Sequence, residues 1–255
     1  METPSFDLKG KVAIVTGGTK GLGLSMAEAL AAAGADLVIV SRTKADCDKV
    51  AADFNAAGYR ALSAPTDVSK PEQIQALIDA AVAEFGKIDI LVNNAGVGIN
   101  KPTVDLTVEE WDHVIGINLR GPFLMAQAVG RQLIKQGHGG KIINVASMLG
   151  MVGEEETLPY CASKGGCIQL TRGLAVEWAR KNIQVNAVCP GYVITNINED
   201  IIANEATSRY LMKKTPMRRY GKAVEIAGLV QFLASSASDY MTGAIIPVDG
   251  GWTAQ

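Results

Sequence analysis

The chain has 255 residues, 48% of them hydrophobic and 20% charged, with 27 glycines and a formal net charge of −2. This composition suits a compact enzyme with many tight turns and offers no basic surface for nucleic acid. No run of roughly 18 apolar residues marks a membrane span, and Met1 to Lys11, with Glu2, Asp7 and Lys9, does not read as a signal peptide. Cys47, Cys161, Cys167 and Cys189 form no C-x-x-C pair, and His113 and His138 share no ligand spacing. Reduced thiols in a cytoplasmic protein, and no metal site, are therefore expected.

Lys11 to Thr16 is a short apolar run that stops at glycines, which reads as a buried strand. Gly17-Gly18-Thr19-Lys20-Gly21-Leu22-Gly23 follows and leads into a helical run from Ser25 to Ala33. Gly17 permits a sharp turn, and Gly21 removes a side chain where a pyrophosphate approaches. Gly23 lets helix and strand pack closely, and the helix N-terminus offers free N–H groups to an anion. A merely structural turn is the plainer alternative. In this strand–turn–helix context dinucleotide binding is expected, through Gly17, Thr19, Lys20, Gly21, Leu22 and Gly23.

The second strand, Asp36 to Ser41, ends at Arg42, where an NAD-specific site places an acidic residue on the ribose hydroxyl. Ser41 and Arg42 stand there instead, with Lys20 in the glycine loop. Two cations and no carboxylate favour a 2′-phosphate, hence NADP(H), with NAD(H) open and a solvent-facing Arg42 as the alternative. A helix from Lys44 to Ala57 and a strand from Arg60 to Pro65 lead to Asp67 and Val68. Asp67 is placed either to meet an adenine or to cap the next helix, Pro71 to Phe85. The strand Ile90 to Val92 ends in Asn93-Asn94-Ala95-Gly96, whose small residues and amides allow close approach to a ligand or simply make a turn.

Thr107 to Gln136 reads as a long, broken helix containing Asn118, an unfavourable helix residue that either caps a kink or holds a water. Strand Lys141 to Val145 ends at Ser147, thirteen residues ahead of Tyr160-x-x-x-Lys164 in a helix running to Arg180. Positions i and i+4 share a helix face, which brings Lys164 to Tyr160. A phenol titrates near pH ~10, and a nearby cation favours the phenolate, so proton exchange near neutrality is expected of Tyr160. Ser147 can offer a hydroxyl to the same substrate oxygen. Strand Gln184 to Cys189 ends in Pro190-Gly191-Tyr192-Val193-Ile194-Thr195, a turn placed to meet a nicotinamide carboxamide. From Asn196 to Tyr220 the periodicity weakens, which suits a mobile substrate lid; its Lys213, Lys214, Arg218 and Arg219 either attract an anionic substrate or form a solvated charged surface. A helix from Ala223 to Ser235 and a strand from Ala244 to Val248 close the chain. About seven strands alternating with helices imply a single α/β domain with a doubly wound parallel sheet.

Taken together, Thr16-Gly-x-x-x-Gly-x-Gly23, Asn93-Asn-Ala-Gly96, Asn118, Ser147, Tyr160-x-x-x-Lys164 and Pro190-Gly191 resemble the short-chain dehydrogenase/reductase family over almost the whole chain. The resemblance implies a Rossmann-like fold and hydride exchange between a nicotinamide and an alcohol or carbonyl. It implies Tyr160 as general acid/base, Ser147 as the group orienting the substrate oxygen, and Asn118 as holder of a proton-relaying water. Lys164 would tune Tyr160 and bind the nicotinamide ribose. It also implies a cofactor site that includes Val68, Asn94, Ala95, Gly96, Tyr160, Lys164, Pro190, Gly191, Val193 and Thr195, and a homodimer or homotetramer. Within the family the chain is similar to gluconate 5-dehydrogenases and nearly as similar to 3-oxoacyl-acyl-carrier-protein reductases. Glu154, Glu155 and Glu156, between Ser147 and Tyr160, sit oddly with an anionic substrate. A catalytically silent NADP-binding protein is the reading from another class, opposed by the intact Ser147, Tyr160 and Lys164. A serine hydrolase is disfavoured, because no Gly-x-Ser-x-Gly elbow is present.

Overall fold

The computed structural model describes residues 3–194 and 204–255. Seven parallel strands among them form one sheet: β1 (Val12–Thr16), β2 (Asp36–Val40), β3 (Ala61–Ser63), β4 (Ile90–Asn93), β5 (Gly140–Val145), β6 (Ile183–Pro190) and β7 (Ile245–Val248). Their spatial order is β3-β2-β1-β4-β5-β6-β7. The α-helices among the described residues are α1 (Gly21–Ala32), α2 (Lys44–Ala56), α3 (Pro71–Phe85), α4 (Val108–Ile115), α5 (Gly121–Gln136), α6 (Leu158–Trp178), α7 (Glu205–Lys214) and α8 (Ala223–Ala234).

The strands read as continuous apolar runs because both faces of the sheet are covered. Ala13, Val15, Leu37, Ile39, Ile90 and Val92 pack with Met26 and Leu30 of α1, Phe54 of α2, and Ile226, Val230 and Leu233 of α8. The alternating set, Val12, Ile14, Val38, Val40 and Leu91, meets Ile74 and Ile78 of α3, Met125 and Leu133 of α5, and Trp178 of α6. Each fully buried aliphatic side chain contributes about 1.5–3 kcal/mol, so these two layers fix the sheet on which the loops are carried. None of the described helices is long and apolar enough to cross a membrane, and no cluster of metal-ligating side chains occurs among the described residues.

Some elements depart from their expected form. Helix α1 begins at Gly21 rather than Ser25, so Gly21 and Gly23 lie in its first turn. The segment Thr107 to Gln136 breaks into α4, a π-helical turn over Gly116–Arg120, and α5, whose first turn holds Pro122. Asn118 sits inside that π turn, a distortion often found at functional sites. Asp67 does not cap α3. The N-cap residue is Lys70, and the Asp67 carboxylate folds instead onto the backbone N–H and hydroxyl of Ser69, at 2.9 and 2.8 Å. Part of the weakly periodic stretch is the regular helix α7, of which Leu211 alone is buried. One buried contact in ten residues leaves almost no periodic signal. The remainder of the expected lid, Asn196 to Ala203, and Thr195 lie outside the described residues.

Candidate active site

All the strands are parallel, so their carboxyl ends gather at one edge of the sheet. The chain leaves β1 towards β2 on one side, while β4 occupies the other. A crevice opens at such a reversal of strand order, and ligands of open α/β sheets bind there. Two loops meet at this point. The Thr16 hydroxyl donates to Val92 O at 3.3 Å and accepts from the N–H groups of Asn94 and Ala95 at 2.9 and 3.1 Å. The Asn94 amide donates to Thr16 O at 3.0 Å. Gly17 turns with φ +65°, and a Cβ there would meet Asn94 Nδ2 at 2.8 Å. A Cβ on Gly23 would lie 2.0 Å from Gly17 O, so the first turn of α1 rests directly on the turn after β1.

No side chain caps α1, and no acidic residue occupies its first turn. The N–H groups of that turn therefore lack an intrahelical acceptor and meet no competing carboxylate, which fits the pyrophosphate of a dinucleotide. Leu22 contributes backbone only, since its side chain packs into the core. Thr19 is half-buried beside the exposed Lys20. Arg42 is exposed at the end of β2, and neither its side chain nor that of Lys20 forms a hydrogen bond or ion pair with a described residue. The Ser41 hydroxyl turns back to Thr43 O at 3.3 Å and to Cys47 Sγ at 3.1 Å. Burial opposes ionisation of Asp67, but the bonds from Ser69 and the charges of Arg42 and Lys70 outweigh it and hold the carboxyl below its usual range. Val68 is buried in the adjoining core.

Ser147, Tyr160 and Lys164 lie further along the same edge. Ser147 follows β5 and is 7% exposed; its oxygen accepts from Leu149 N at 3.1 Å, leaving its hydrogen free to donate. Lys164, 4% exposed, donates to Val145 O at 2.7 Å and holds its ammonium 5.5 Å from the centre of the Tyr160 ring. Lys164 and Tyr160 thus share a helix face, with the lysine anchored on the strand. The loop after β4 crosses above both groups: an added Cβ on Gly96 would lie 3.6 Å from Lys164 Nζ, and one on Gly98 3.8 Å from Tyr160 Cδ2. Asn118 fixes that loop. Its amide accepts from Val97 N and donates to Val97 O, both at 2.8 Å. The second amide hydrogen goes to Ser163 Oγ at 3.1 Å, and Ser163 in turn donates to Tyr160 O at 2.7 Å.

A family model described as enoyl-(acyl carrier protein) reductase matches residues 17–253. The 2-dehydro-3-deoxy-D-gluconate 5-dehydrogenase of Dickeya dadantii is 46% identical over 253 residues, covering 98% of both chains. The chain belongs to the short-chain dehydrogenase/reductase family. A crystal structure of gluconate 5-dehydrogenase from Burkholderia cenocepacia, in complex with NADP and tartrate, superposes with a TM-score of 0.95 at 40% identity, covering 98% of each chain. An NAD-dependent glycerol dehydrogenase of Listeria innocua is 38% identical over 248 residues, covering 97% of this chain and 96% of its own. The protein is, like its relatives in this family, an oxidoreductase acting on CH–OH groups.

Other residues of this short-chain dehydrogenase/reductase site carried little sequence signal. Ser163 is fully buried and joins Asn118 to the backbone of Tyr160. Its only mark in the sequence is a small polar residue one position before Lys164. With Ser163→Ala the second Asn118 amide hydrogen loses its acceptor, at a cost of about 1–3 kcal/mol. A lower melting temperature and a kcat reduced about tenfold are expected, read by thermal denaturation beside steady-state kinetics.

At the end of β6, the turn from Pro190 into Gly191 is braced by β7. Gly191 N donates to Val248 O at 3.0 Å, and a Cβ on Gly191 would meet Asp249 Cα at 2.6 Å. Burial raises the Asp249 carboxyl, but hydrogen bonds from Thr253 and Gly251 outweigh it and leave the group ionised below the usual range. Val193 is buried and bridges to Gly221. Tyr160 and Tyr192 pack on Met148, Leu149, Leu211 and Trp252, with the Tyr192 and Trp252 rings edge-on at 5.3 Å. Burial pushes the Cys189 thiol up to about 11 and raises Cys167 as well, which disfavours the thiolate at both positions.

Proposed function

We propose that the chain is an NADP(H)-dependent dehydrogenase interconverting a secondary alcohol and a ketone on a sugar or sugar acid of the gluconate type. The observation that carries this reading is the buried Lys164 ammonium, tied to Val145 O and 5.5 Å from the Tyr160 ring, on the sheet edge that also bears the Gly17–Gly23 cradle. The relatives named above for gluconate-type acids supply the substrate class.

The backbone of Gly17, Thr19, Lys20, Gly21, Leu22 and Gly23 would hold the phosphates of the cofactor. Ser41, Arg42 and Lys20 would take the 2′-phosphate, and Asp67 and Val68 would border the adenine. Asn94, Ala95, Gly96, Tyr160 and Lys164 would hold the nicotinamide ribose, and Pro190, Gly191, Val193 and Thr195 the carboxamide. When bound, the nicotinamide supplies the carbon that gives or takes hydride. Ser147 donates its free hydrogen to the substrate oxygen and holds it beside the Tyr160 hydroxyl. In the reducing direction Tyr160 gives that oxygen a proton; in the oxidising direction it takes one. Lys164 keeps a positive charge beside the phenol ring. Asn118, bound on both amide edges, keeps the loop over the site in place and orders a water through its backbone.

Helix α7 acts as the substrate lid. Exposed Val104, Val108 and Phe123 around α4 and α5, and Val176 on α6, supply apolar surface for a homodimer or homotetramer. Four unpaired cysteines suit a cytoplasmic enzyme.

Kinetics across sugar acids, simple alcohols and 3-oxoacyl thioesters test the substrate class. The highest kcat/KM is expected for a gluconate-type acid with NADP⁺; a preference for the thioester would move the enzyme to acyl-chain reduction. Arg42→Ala is expected to lower the NADP⁺-over-NAD⁺ ratio of kcat/KM about 10–100-fold, since a charged hydrogen bond contributes about 1.5–3 kcal/mol. An unchanged ratio would remove Arg42 from the 2′-phosphate site.

A further inference from the structure

Of the three acidic residues between Ser147 and Tyr160, Glu155 and Glu156 are exposed, while Glu154 turns inward with its side chain 15% exposed. The hydroxyl of Thr157 holds its backbone, donating to Glu154 O at 2.8 Å. Its two carboxylate oxygens are unequally served. Oε1 accepts from the Tyr210 hydroxyl at 3.3 Å. Oε2 lies 3.5 Å from Lys214 Nζ, sealed from solvent, and receives no hydrogen bond from any described residue. A buried carboxylate oxygen without a donor is costly, and a donor from a ligand removes that cost.

The surroundings of Glu154 are aromatic and adjoin Tyr160. Lys214 lies over the rings of Tyr210 and Trp252, at 4.6 and 5.3 Å, and Trp252 meets Tyr192 edge-on. Tyr192 shares the apolar cluster under Tyr160, and its hydroxyl has no hydrogen-bond partner among the described residues. Burial and then the charge of Glu154 push the Tyr192 phenol up, so it stays protonated. Glu154 Oε2, ion-paired with Lys214 but not hydrogen-bonded, and the Tyr192 hydroxyl thus have no hydrogen-bond partner among the described residues.

On the reading of the site given above, we propose that Glu154 is a specificity-determining residue whose Oε2 accepts a hydrogen bond from a substrate hydroxyl adjacent to the reacting carbinol, with Tyr192 alongside. An ionised carboxylate accepts and cannot donate, so it reads O–H and rejects a second carboxylate. A sugar acid therefore enters with its hydroxymethyl end at Glu154 and its own carboxylate pointing away. The three glutamates are thereby reconciled with an anionic substrate: two are solvated, and the third meets the uncharged end.

The test is a cycle between protein and substrate. Wild type, Glu154→Gln and Glu154→Ala are compared on D-gluconate and 6-deoxy-D-gluconate, and on 1,2-propanediol and 2-propanol, pairs that differ by the one hydroxyl next to the reacting carbinol. Wild type is expected to favour the fuller member of a pair about 10–100-fold in kcat/KM, chiefly through KM. In Glu154→Ala that ratio falls towards one, and Glu154→Gln, which keeps an acceptor oxygen, retains part of it. Melting temperatures recorded in parallel separate loss of selectivity from loss of fold. A wild type selective only within the propanediol pair would count against the sugar-acid reading and leave the role of Glu154 standing. A wild type that distinguishes neither pair, or a Glu154→Ala variant with undiminished selectivity, overturns the inference.

Discussion

Tyr160→Phe is expected to lower kcat by about 10²–10⁴-fold while the protein stays folded, because positioned proton transfer contributes on that scale. The substitution removes one oxygen and leaves the ring. Ser163 bonds to the Tyr160 backbone, and Lys164 is held by Val145 O, so neither anchor depends on the lost hydroxyl. The effect should therefore fall on kcat, as for a group acting in the transition state. Steady-state kinetics on an established substrate, with a thermal melt beside it, measures this. Turnover at the wild-type level would show that Tyr160 does not move the proton.

The second large effect is expected at Gly23. A Cβ at this position would lie 2.0 Å from Gly17 O and 2.6 Å from Asn94 Nδ2, and the first of these is backbone that cannot swing aside. With Gly23→Ala, α1 must lift off the turn after β1, at a cost of about 1–3 kcal/mol for overpacking. The displaced N–H groups no longer meet the phosphates, and a shift near 1 Å weakens such positioning by about 100-fold. Titration of NADPH fluorescence measures the loss. Gly228→Ala in α8 is the matched control, because nothing lies within 4 Å of its added Cβ. It should bind cofactor as wild type does and gain about 0.5–1 kcal/mol from helix propensity. Equal affinities in the two variants would remove Gly23 from the cradle.

How far the sequence foretold this site depends on what each residue does. The glycine cradle was legible because glycine is nearly obligatory where backbone meets backbone, and Gly17 and Gly23 do meet it. Tyr160 and Lys164 were legible because their contact is set by helix periodicity alone. The strands were legible as apolar runs, both sheet faces being buried. Asn118 stood out as an awkward helix residue, but its partners, Val97 and Ser163, are 21 and 45 positions away and no local pattern names them. Glu154 was read with its neighbours as one acidic run. Only the fold brings Tyr210 and Lys214 to it across about 60 residues of chain, and so separates it from Glu155 and Glu156. Of the cations in the expected lid, Lys214 is paired with Glu154, and Arg219 pairs with Glu225 at 2.7 Å. Their charge is accordingly less available to an anion than their count suggests.

The most direct measurement is the initial rate of NADP⁺ reduction by purified protein supplied with a gluconate-type acid, with the oxidised sugar acid quantified in the same samples. The account predicts saturable reduction of NADP⁺, one ketone formed for each cofactor reduced, and near-complete loss of both signals in Tyr160→Phe. Tight NADPH binding without turnover on sugar acids, polyols or 3-oxoacyl thioesters would contradict it and leave a binding protein built on a dehydrogenase fold.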